Sequence, residues 1–345
     1  MKHKRQQAKV SFGIRPLRQL AGKALLGFFG CMHVLITAEA QQVPDYNLYT
    51  LDASLLNPAA VGLQDYSHVH LLYRKQWVGL TGTPEIARLS IQGPLPNRPM
   101  GLGGFVLSDS YHLLQKNVAG LQYAYRIDLA QESHLRMGLQ ASLAQHLFRF
   151  DKVVAESPGD EVLFQYPEQN NAFDLAVGLL YQRRKWTLGF SSLQLLQNDL
   201  TLLSQENKKE LRYKLVRHFN LSASYKFHLP DPRISLEPSL LLRNVQGLPA
   251  TLDMNVQALF EDRLWAGLSY RNLSSVAVHF GMLASERFGF TYAFEHGFNE
   301  LSYASNGSHE LRLSYRLAST SAAGGASYAR RDVESLSRQT TEQYE

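Results

Sequence analysis

This sequence has a single cysteine and, past residue 40, neither a long apolar run nor a large net charge. Its single cysteine, Cys31, lies in an N-terminal segment that we predict is removed, so disulfides and cysteine-based metal sites are excluded from the rest of the chain. Past residue 40, no run reaches the 18 or so apolar residues of a membrane-spanning helix, and the mean hydropathy is −0.23. The sequence therefore does not predict a helical membrane protein.

Residues 1–40 have the pattern of a secretory signal peptide. An apolar stretch from Leu25 to Ile36 follows a basic region and precedes Ala38-Glu39-Ala40, which fits a cleavage site. Cleavage there makes Gln41 the first residue of the exported chain. A lipoprotein signal ending at Cys31 is the alternative, but apolar residues continue past Cys31.

Removal of this signal peptide changes the charge of the chain. The whole sequence has 35 basic and 30 acidic residues, of which residues 1–40 hold seven and one. The remaining 28 basic and 29 acidic residues give a net charge of −1. Such a chain has no electrostatic footprint for DNA or RNA, and we predict no nucleic-acid partner.

Apolar and polar residues alternate along most of the remaining chain. From residue 288 to 294 every second residue is aromatic, and Gly289, Thr291 and Ala293 lie between. This period of two predicts strands with one apolar and one polar face. Pro238 lies inside the ninth predicted strand, 233–243, and cannot donate to a ladder, so a start at Ser239 is the alternative for this strand. We predict about 14 strands, near residues 67–74, 86–92, 101–108, 118–127, 134–147, 172–182, 185–191, 216–227, 233–243, 252–260, 263–271, 275–283, 287–295 and 309–317.

Many amphipathic strands fit either a soluble sandwich or barrel or an outer-membrane barrel, and the links between the strands favour the second. Links after even-numbered strands are mostly short, such as Glu261-Asp262, whereas 151–171, 192–215 and 296–308 are long. Short turns at one end and long loops at the other are typical of outer-membrane barrels. We therefore predict an all-β fold, a transmembrane antiparallel outer-membrane β-barrel over residues 65–317, surrounded by outer-membrane lipid.

The bilayer explains why such a sheet must close. Hydrocarbon offers no partner to an unpaired backbone group, and a closed sheet has no free edge. The apolar faces then contact lipid, and the polar faces line the lumen. Residues 41–64 are predicted to form a periplasmic segment or a plug in that lumen. Residues 318–345 are predicted to form a disordered periplasmic tail.

The region before and after the first strand carries residues with a recognisable spacing. They fit the patterns Asn-Pro-Ala-x-x-Gly and Tyr-Arg-x-Gln-Trp followed by Gly-x-Pro, through Asn57, Pro58, Ala59, Gly62, Tyr73, Arg74, Gln76, Trp77, Gly82 and Pro84. With these motifs the chain resembles the PorP/SprF family, outer-membrane components of the type IX secretion system of the Bacteroidota. The resemblance extends over nearly all of residues 47–317. It departs from the family at Tyr111–Leu114, where a Gly-rich turn is usual.

The resemblance implies a non-enzymatic barrel that works in protein secretion and gliding motility. Its implied partners are type IX secretion components, including a periplasmic peptidoglycan-binding protein, and an exported surface protein whose export or attachment it supports. Recognition would use protein–protein contacts through turns, loops and the N-terminal segment. A passive outer-membrane channel for small solutes is the alternative, because a barrel of this size can enclose a lumen.

The motif residues are our candidate site. If Tyr73-Arg74 ends the first strand, Arg74, Lys75 and Gln76 face the lumen or the loop space, and Trp77 lies at the membrane interface. Two interpretations follow. The residues form an interface girdle with a loop turn, or they dock a partner protein or residues 41–64.

Catalytic and metal-binding patterns are weak. Ser308-His309-Glu310 lie on a predicted strand, where neighbours point to opposite faces, so they cannot form a hydrogen-bonded relay. His68 and His70 share a face but lack a third ligand. We therefore predict no enzyme activity, no metal and no cofactor, and an outer-membrane hydrolase has no residue set to support it. The leucine-rich segment 192–215 is predicted to form an amphipathic helix or to pack over the mouth of the barrel.

Overall fold

The computed structural model describes residues 43–149, 169–203, 210–272 and 274–317. The predictions for the signal peptide and for residues 318–345 lie outside the described residues. No helix in the described ranges is long and apolar enough to span a membrane. Within these ranges the chain forms 17 strands, β1 (His68–Lys75), β2 (Glu85–Pro94), β3 (Met100–Tyr111), β4 (Leu114–Ala130), β5 (Ser133–Phe148), β6 (Gln169–Arg183), β7 (Trp186–Leu193), β8 (Asp199–Leu203), β9 (Glu210–Lys214), β10 (His218–Tyr225), β11 (Phe227–His228), β12 (Ile234–Val245), β13 (Thr251–Phe260), β14 (Leu264–Arg271), β15 (Ser275–Leu283), β16 (Phe288–Gly297) and β17 (Ser308–Arg316).

Fourteen strands of the described chain close into one antiparallel barrel. Each barrel strand pairs with the next along the chain, and β1 closes the sheet against β17, with His68 opposite Arg316 and Lys75 opposite His309. β10 and β11 are two parts of one barrel strand, because both pair with β12. β8 and β9 form a separate hairpin. The predicted fold class and the predicted number of strands are confirmed.

The two faces of the barrel differ as the alternation predicts. Large apolar side chains, among them Leu121 and Phe280, are exposed on the outer face. On the inner face Arg74, His279 and Glu310 are almost completely buried. An exposed apolar exterior around a buried polar interior is the reverse of a soluble protein, and it suits a wall that contacts hydrocarbon.

β12 begins at Ile234, close to the start of the predicted segment 233–243, and not at the alternative start Ser239. It runs through Pro238 and pairs with β13 along its whole length. On its other side the ladder is interrupted at Pro238, between the Ser224–Ser239 pair and the Phe227–Leu236 pair. Proline has no N–H to donate, so the strand continues past it with one unpaired stretch. The alternative start at Ser239 is therefore wrong.

The described part of segment 192–215 contains no helix. β7 extends to Leu193, and the chain then forms the β8–β9 hairpin. Leu200 and Leu215 form a buried cluster with Ala172 of β6. The amphipathic-helix prediction is wrong, because two paired strands, rather than one face of a helix, bury these leucines.

The links give the barrel two different ends. Links of two to five residues join the strands at one end, which we call the short-turn mouth. The opposite end, the long-loop mouth, carries the longer links 76–84, 149–168, 194–217 and 298–307. A short helix, Glu300–Tyr303, lies in the last of these. The asymmetry predicted from the sequence is therefore present.

The apolar outer face predicts how the barrel responds to a buried charge. Leu268 lies midway along β14, between Val256 and Val278 of the neighbouring strands, and is 55% exposed. We expect Leu268→Arg to lower the free energy of unfolding by about 2–4 kcal/mol, because the guanidinium must enter hydrocarbon. Urea titration in lipid vesicles, followed by tryptophan fluorescence, measures this loss.

Leu229→Arg is the matched control. Leu229 lies in the short turn before β12, where a charged side chain reaches water, so we expect a loss of only about 0–1 kcal/mol. Equal losses in the two variants would contradict a lipid-facing outer surface.

Candidate functional site

The candidate site centres on residues 43–63, which precede β1 and which we call the plug. It contains three short 3-10 turns, Leu48–Thr50, Ala53–Leu55 and Pro58–Ala60. Most of its residues are buried, although so short a segment has no core of its own. Its hydrogen-bond partners lie on the inner faces of the strands, from Glu310 of β17 to Ser191 of β7. The plug therefore lies inside the barrel.

The plug runs along the lumen from one mouth to the other. Asp45 contacts Arg271, the last residue of β14 at the long-loop mouth. Gly62 lies against the backbone of Gly93 and Gly101, on either side of the first short turn. The chain then enters β1 at the short-turn mouth.

Arg74 lies at the centre of a buried ion-pair group, the Arg74 cluster, formed by Arg74, Glu295 and Glu310. Its guanidinium donates to Glu295 Oε2 at 2.5 Å and to Glu310 Oε2 at 3.0 Å. Glu310 in turn accepts the backbone N–H groups of Asn47 and Leu48, at 2.8 Å and 3.2 Å. The motif arginine thus positions the carboxylate that holds the start of the plug.

A second set of charges extends this cluster. Asp45 of the plug pairs with Arg243, and both Arg243 and Arg271 pair with Asp253. Arg271 also donates to Glu295, at 3.2 Å. These side chains are at most about one-eighth exposed. Buried charges are tolerated only when they are paired and hydrogen-bonded, so each member depends on the others.

The middle of the plug is held by Asp52. Its carboxylate bonds His70 Nδ1 at 2.9 Å and accepts from Gln92 at 2.9 Å. Arg312 contacts the other ring nitrogen of His70 at 2.7 Å, and the ring of His68 stacks on that of His70. His70 therefore helps to hold the plug through Asp52, and His68 packs against the His70 ring. In the described part of the chain, no group of three His, Cys, Asp or Glu side chains is placed to hold a metal ion.

The Asn-Pro-Ala motif forms the last turn of the plug. Asn57 Oδ1 accepts the backbone N–H of Ala59 at 2.9 Å and caps the turn, and Pro58 supplies a backbone angle that suits its first position. The Asn57 amide donates to the carbonyls of Leu179 and Phe190, at 2.9 Å and 3.2 Å. One side chain therefore caps the turn and also binds it to two barrel strands.

This turn lies on a surface of glycines. Gly138 and Gly178 are paired across β5 and β6, and Gly189 follows on β7. A Cβ at Gly138 would overlap the backbone of Pro58 and Ala59, and a Cβ at Gly178 would overlap the Asn57 amide. The absence of side chains lets the plug approach the wall at backbone distance.

The end of the plug is fixed by an arginine and a glycine. Arg136 donates to the carbonyls of Ala59 and Val61, at 3.0 Å and 2.5 Å. Gly62 has a φ of +64°, and a Cβ there would meet Gly93 and Gly101. Only glycine suits this left-handed, crowded position.

The motif residue Tyr73 and its neighbour Lys75 lie outside the lumen. Tyr73 is part-exposed on the outer face and donates to Glu85 at 2.8 Å. Lys75 pairs with the same carboxylate at 3.0 Å, and this pair is about 40% exposed. The prediction that Lys75 faces the lumen or the loop space is wrong, because strand β1 continues through it and the alternation places it outward.

The remaining motif residues build the β1–β2 loop at the long-loop mouth. The N–H of Gln76 donates to the Pro84 carbonyl at 3.0 Å and closes the loop. Gly82 has a φ of +71° and accepts from the His112 backbone. The backbone N–H of Trp77 donates to the Ser308 hydroxyl. The Trp77 residue also lines a cavity of about 50 Å³ beside Arg74 and Gln76. Its position on this inner cavity differs from the predicted place at the membrane interface.

Ser308 and Glu310 lie on the inner face of β17, and His309 lies between them on the outer face. Ser308 accepts from Trp77, and Glu310 belongs to the Arg74 cluster. His309 lies on the other face of β17, where it bonds the Tyr292 hydroxyl at 2.6 Å. The structure does not bring them together as a catalytic relay.

Several residues of the site have no signal in the motif. Glu295 and Glu310 bind Arg74 from strands more than two hundred residues away in the sequence. Arg136 and the glycines of β5, β6 and β7 look like ordinary members of polar strand faces. Acidic residues on the lumen face of predicted strands are the one signal that could have identified the partners of Arg74.

Loss of the central arginine predicts a large cost. We expect Arg74→Gln to lower the free energy of unfolding by about 3–5 kcal/mol, because Glu295 and Glu310 remain buried without their shared cation. The measurement is urea unfolding in lipid vesicles, together with limited proteolysis of the plug.

Lys75→Gln is the control at the next position of the same strand. Its ion pair with Glu85 is exposed, so we expect a change of about 0–1 kcal/mol. A loss for Arg74→Gln no larger than that of the control would show that the cluster does not hold the plug.

Solved structures with a similar architecture share little sequence with this chain. The outer membrane protein Omp33 of Acinetobacter baumannii is 8% identical, with a TM-score of 0.46, over 74% of this chain and 100% of that one. A FadL homologue of Pseudomonas aeruginosa is 11% identical, with a TM-score of 0.46, over 76% and 93%. The toluene transporter TodX of P. putida is 10% identical, with a TM-score of 0.44, over 76% and 93%. No curated protein sequence matches the chain significantly.

A family model gives a more specific result. The model described as type IX secretion system membrane protein PorP/SprF matches residues 38–315, which include the plug and all of the barrel strands except the last residue of β17. The predicted family resemblance and the predicted outer-membrane location are confirmed. The chain belongs to the PorP/SprF family of type IX secretion system membrane proteins.

Proposed function

We propose that this barrel is a non-enzymatic anchor of the type IX secretion system, which supports export and surface attachment of secreted, adhesin-like proteins through protein–protein contacts. Family membership supports a role in secretion. The finer role rests on one observation, the plug bound along the lumen by the Arg74 cluster. A barrel whose lumen is filled in this way can bind other proteins through its outer surfaces, but it has no open path for solutes.

Release of the plug would be costly, which supports a permanent filling. Asp45 would leave Arg243 and Arg271, and Asp52 would leave His70. Glu310 would lose two backbone donors. Each separation leaves a poorly paired charge in a confined interior, where such groups cost several kcal/mol.

The two mouths offer different surfaces for partners. By the usual orientation of outer-membrane barrels, the short turns face the periplasm and the long loops face outward. Exposed ion pairs at the short-turn mouth, Glu132–Arg184 and Arg263–Glu286, suit polar contacts with a periplasmic peptidoglycan-binding protein. The loops 76–84 and 298–307, joined by backbone hydrogen bonds between Val78, Asn306 and Gly307, suit contacts with an exported surface protein.

A passive channel for small solutes is the second candidate. The observation in its favour is a cavity of about 150 Å³ beside the plug, against the wall formed by β6, β7, β10, β12 and β13. A channel requires this space to continue from mouth to mouth.

Conductance separates the two candidates. We expect the purified protein to be electrically silent in planar lipid bilayers, because the plug fills the lumen. The matched variant is Arg74→Gln, which weakens the hold on the plug and should produce intermittent openings. Steady open conductance of the unmodified protein would favour the channel and count against the anchor.

Deletion of the gene tests the role in secretion. We expect surface proteomics of the deletion strain to show loss of one or a few exported proteins, and re-expression of the Lys75→Gln variant to restore them. We also expect crosslinking in cells to recover the barrel with a peptidoglycan-binding protein. An unchanged surface proteome, or repeated absence of such a partner, would contradict the proposal.

A further inference from the structure

The cavity of about 150 Å³ beside the plug has an apolar inner part and a polar rim. Tyr49 and Leu56 of the plug and Leu180 and Leu241 of the barrel wall lie around its inner part. The rim carries small polar side chains and one carboxylate, contributed by Thr187, Ser222, Ser224, Ser239 and Glu237. Such a site suits a ligand that combines an aromatic or aliphatic group with a positive charge.

The rim lies at the short-turn mouth. Thr187 is the second residue of β7, directly after a short turn, and Ser224 is its partner in the ladder. The rim residues are only half-buried, in contrast to the fully buried lumen residues Arg74 and Thr291. The cavity is therefore accessible from the mouth at which the short turns lie.

Glu237 has no cation beside it within the described residues. The other acids that contact the plug or its neighbours, Asp52, Asp253, Glu295 and Glu310, are each bonded to arginine or histidine. For Glu237, neither an ion pair nor a hydrogen bond to a basic side chain is present in the described part of the chain. Glu237 is half-buried at the accessible mouth, so a cation that approaches from the short-turn side can pair with its carboxylate.

The described chain ends at the same mouth, and the sequence that follows contains such a cation. β17 ends there, where the Arg316 N–H donates to the carbonyl of Arg287 in a short turn. Residues 318–327 consist of alanine, glycine, serine and threonine, a composition common in linkers. The next four residues are Tyr328-Ala329-Arg330-Arg331.

The linker is long enough to reach the cavity. β12, which carries Glu237, lies five strands from β17 around the wall, or about 24 Å at the usual strand spacing of ~4.8 Å. Eleven residues lead from Leu317 to Tyr328, and an extended chain of that length spans about 36 Å.

We propose that Tyr328–Arg331 binds in this cavity, with the Tyr328 ring in the apolar part and Arg330 or Arg331 paired with Glu237. The C-terminal segment then fills the part of the lumen that the plug leaves open. The aromatic ring supplies the apolar group. The adjacent arginines supply a positively charged partner for the Glu237 carboxylate. This inference does not depend on the proposed role in secretion.

A pair of engineered cysteines tests the position of the segment in the full-length protein. In a Cys31→Ser background, we expect Ser224→Cys combined with Ala329→Cys to form an intramolecular disulfide under mild oxidation in membranes. The matched control combines Ser224→Cys with Thr341→Cys, which places the second thiol farther along the same tail. We expect the first pair to crosslink at about five times the yield of the control.

Charge reversal then tests the ion pair. We expect Glu237→Arg to lower the yield of the 224–329 crosslink about fivefold, and Arg330→Glu with Arg331→Glu to restore it. Arg338→Glu should not restore it, and Glu237→Gln, which preserves the shape of the side chain, should lower the yield in the same direction. Each variant is first checked for the heat-dependent gel migration of a folded barrel.

Three results would overturn the proposal. The first is equal crosslinking of the 329 and 341 positions, and the second is a yield that does not respond to the charge of residue 237. The third is a crosslink in cells from the engineered thiol at position 224 to a different protein, while the thiol at position 329 stays unreacted. That last result would assign the cavity to a peptide of a partner protein.

Discussion

The interior of this barrel confines many charges, and the pairing of the most deeply buried ones is the constraint on which the plug depends. Arg74 is 1% exposed, and the cost of burying it is offset only because Glu295 and Glu310 both reach it. Those carboxylates have acceptor capacity left over, and the plug supplies the donors. The plug is thus part of the solution to an electrostatic problem that the barrel wall cannot solve alone. Without the plug, the strands of the wall could still pair in the same order, but Glu295 and Glu310 would lose hydrogen-bond donors.

Much of the fold could be predicted from the sequence, because each barrel strand records its environment in a period of two. Lipid on one side and a polar lumen on the other leave no ambiguity in segments such as 288–294. The predictions failed where they depended on a few neighbouring residues and not on a long alternating pattern. Pro238 suggested a later start for one strand, but a strand survives one missing ladder bond when its other neighbour remains paired. The leucines near residue 200 were ambiguous, because a short amphipathic stretch fits a helix or a hairpin equally well.

The sequence predicted only part of the site, namely the motif residues and not their partners on distant strands. The motif identified one side of each interaction, such as Arg74 and Asn57, because these residues are close together along the chain. Their partners, Glu295, Glu310 and the glycines of β5 to β7, come from distant strands and become neighbours only when the sheet closes. Lys75 shows the same limit at short range, since one position along a strand changes a lumen residue into a surface residue.

The path of the plug has a topological consequence. An even number of strands ordinarily returns a chain to the side from which it started, and fourteen do so here. The plug adds one more traverse in the opposite sense, because it enters beside Arg271 and leaves beside Gly93. Between Val43 and Leu317 the polypeptide therefore crosses the thickness of the bilayer fifteen times. The two ends of this region therefore lie at opposite mouths of the barrel.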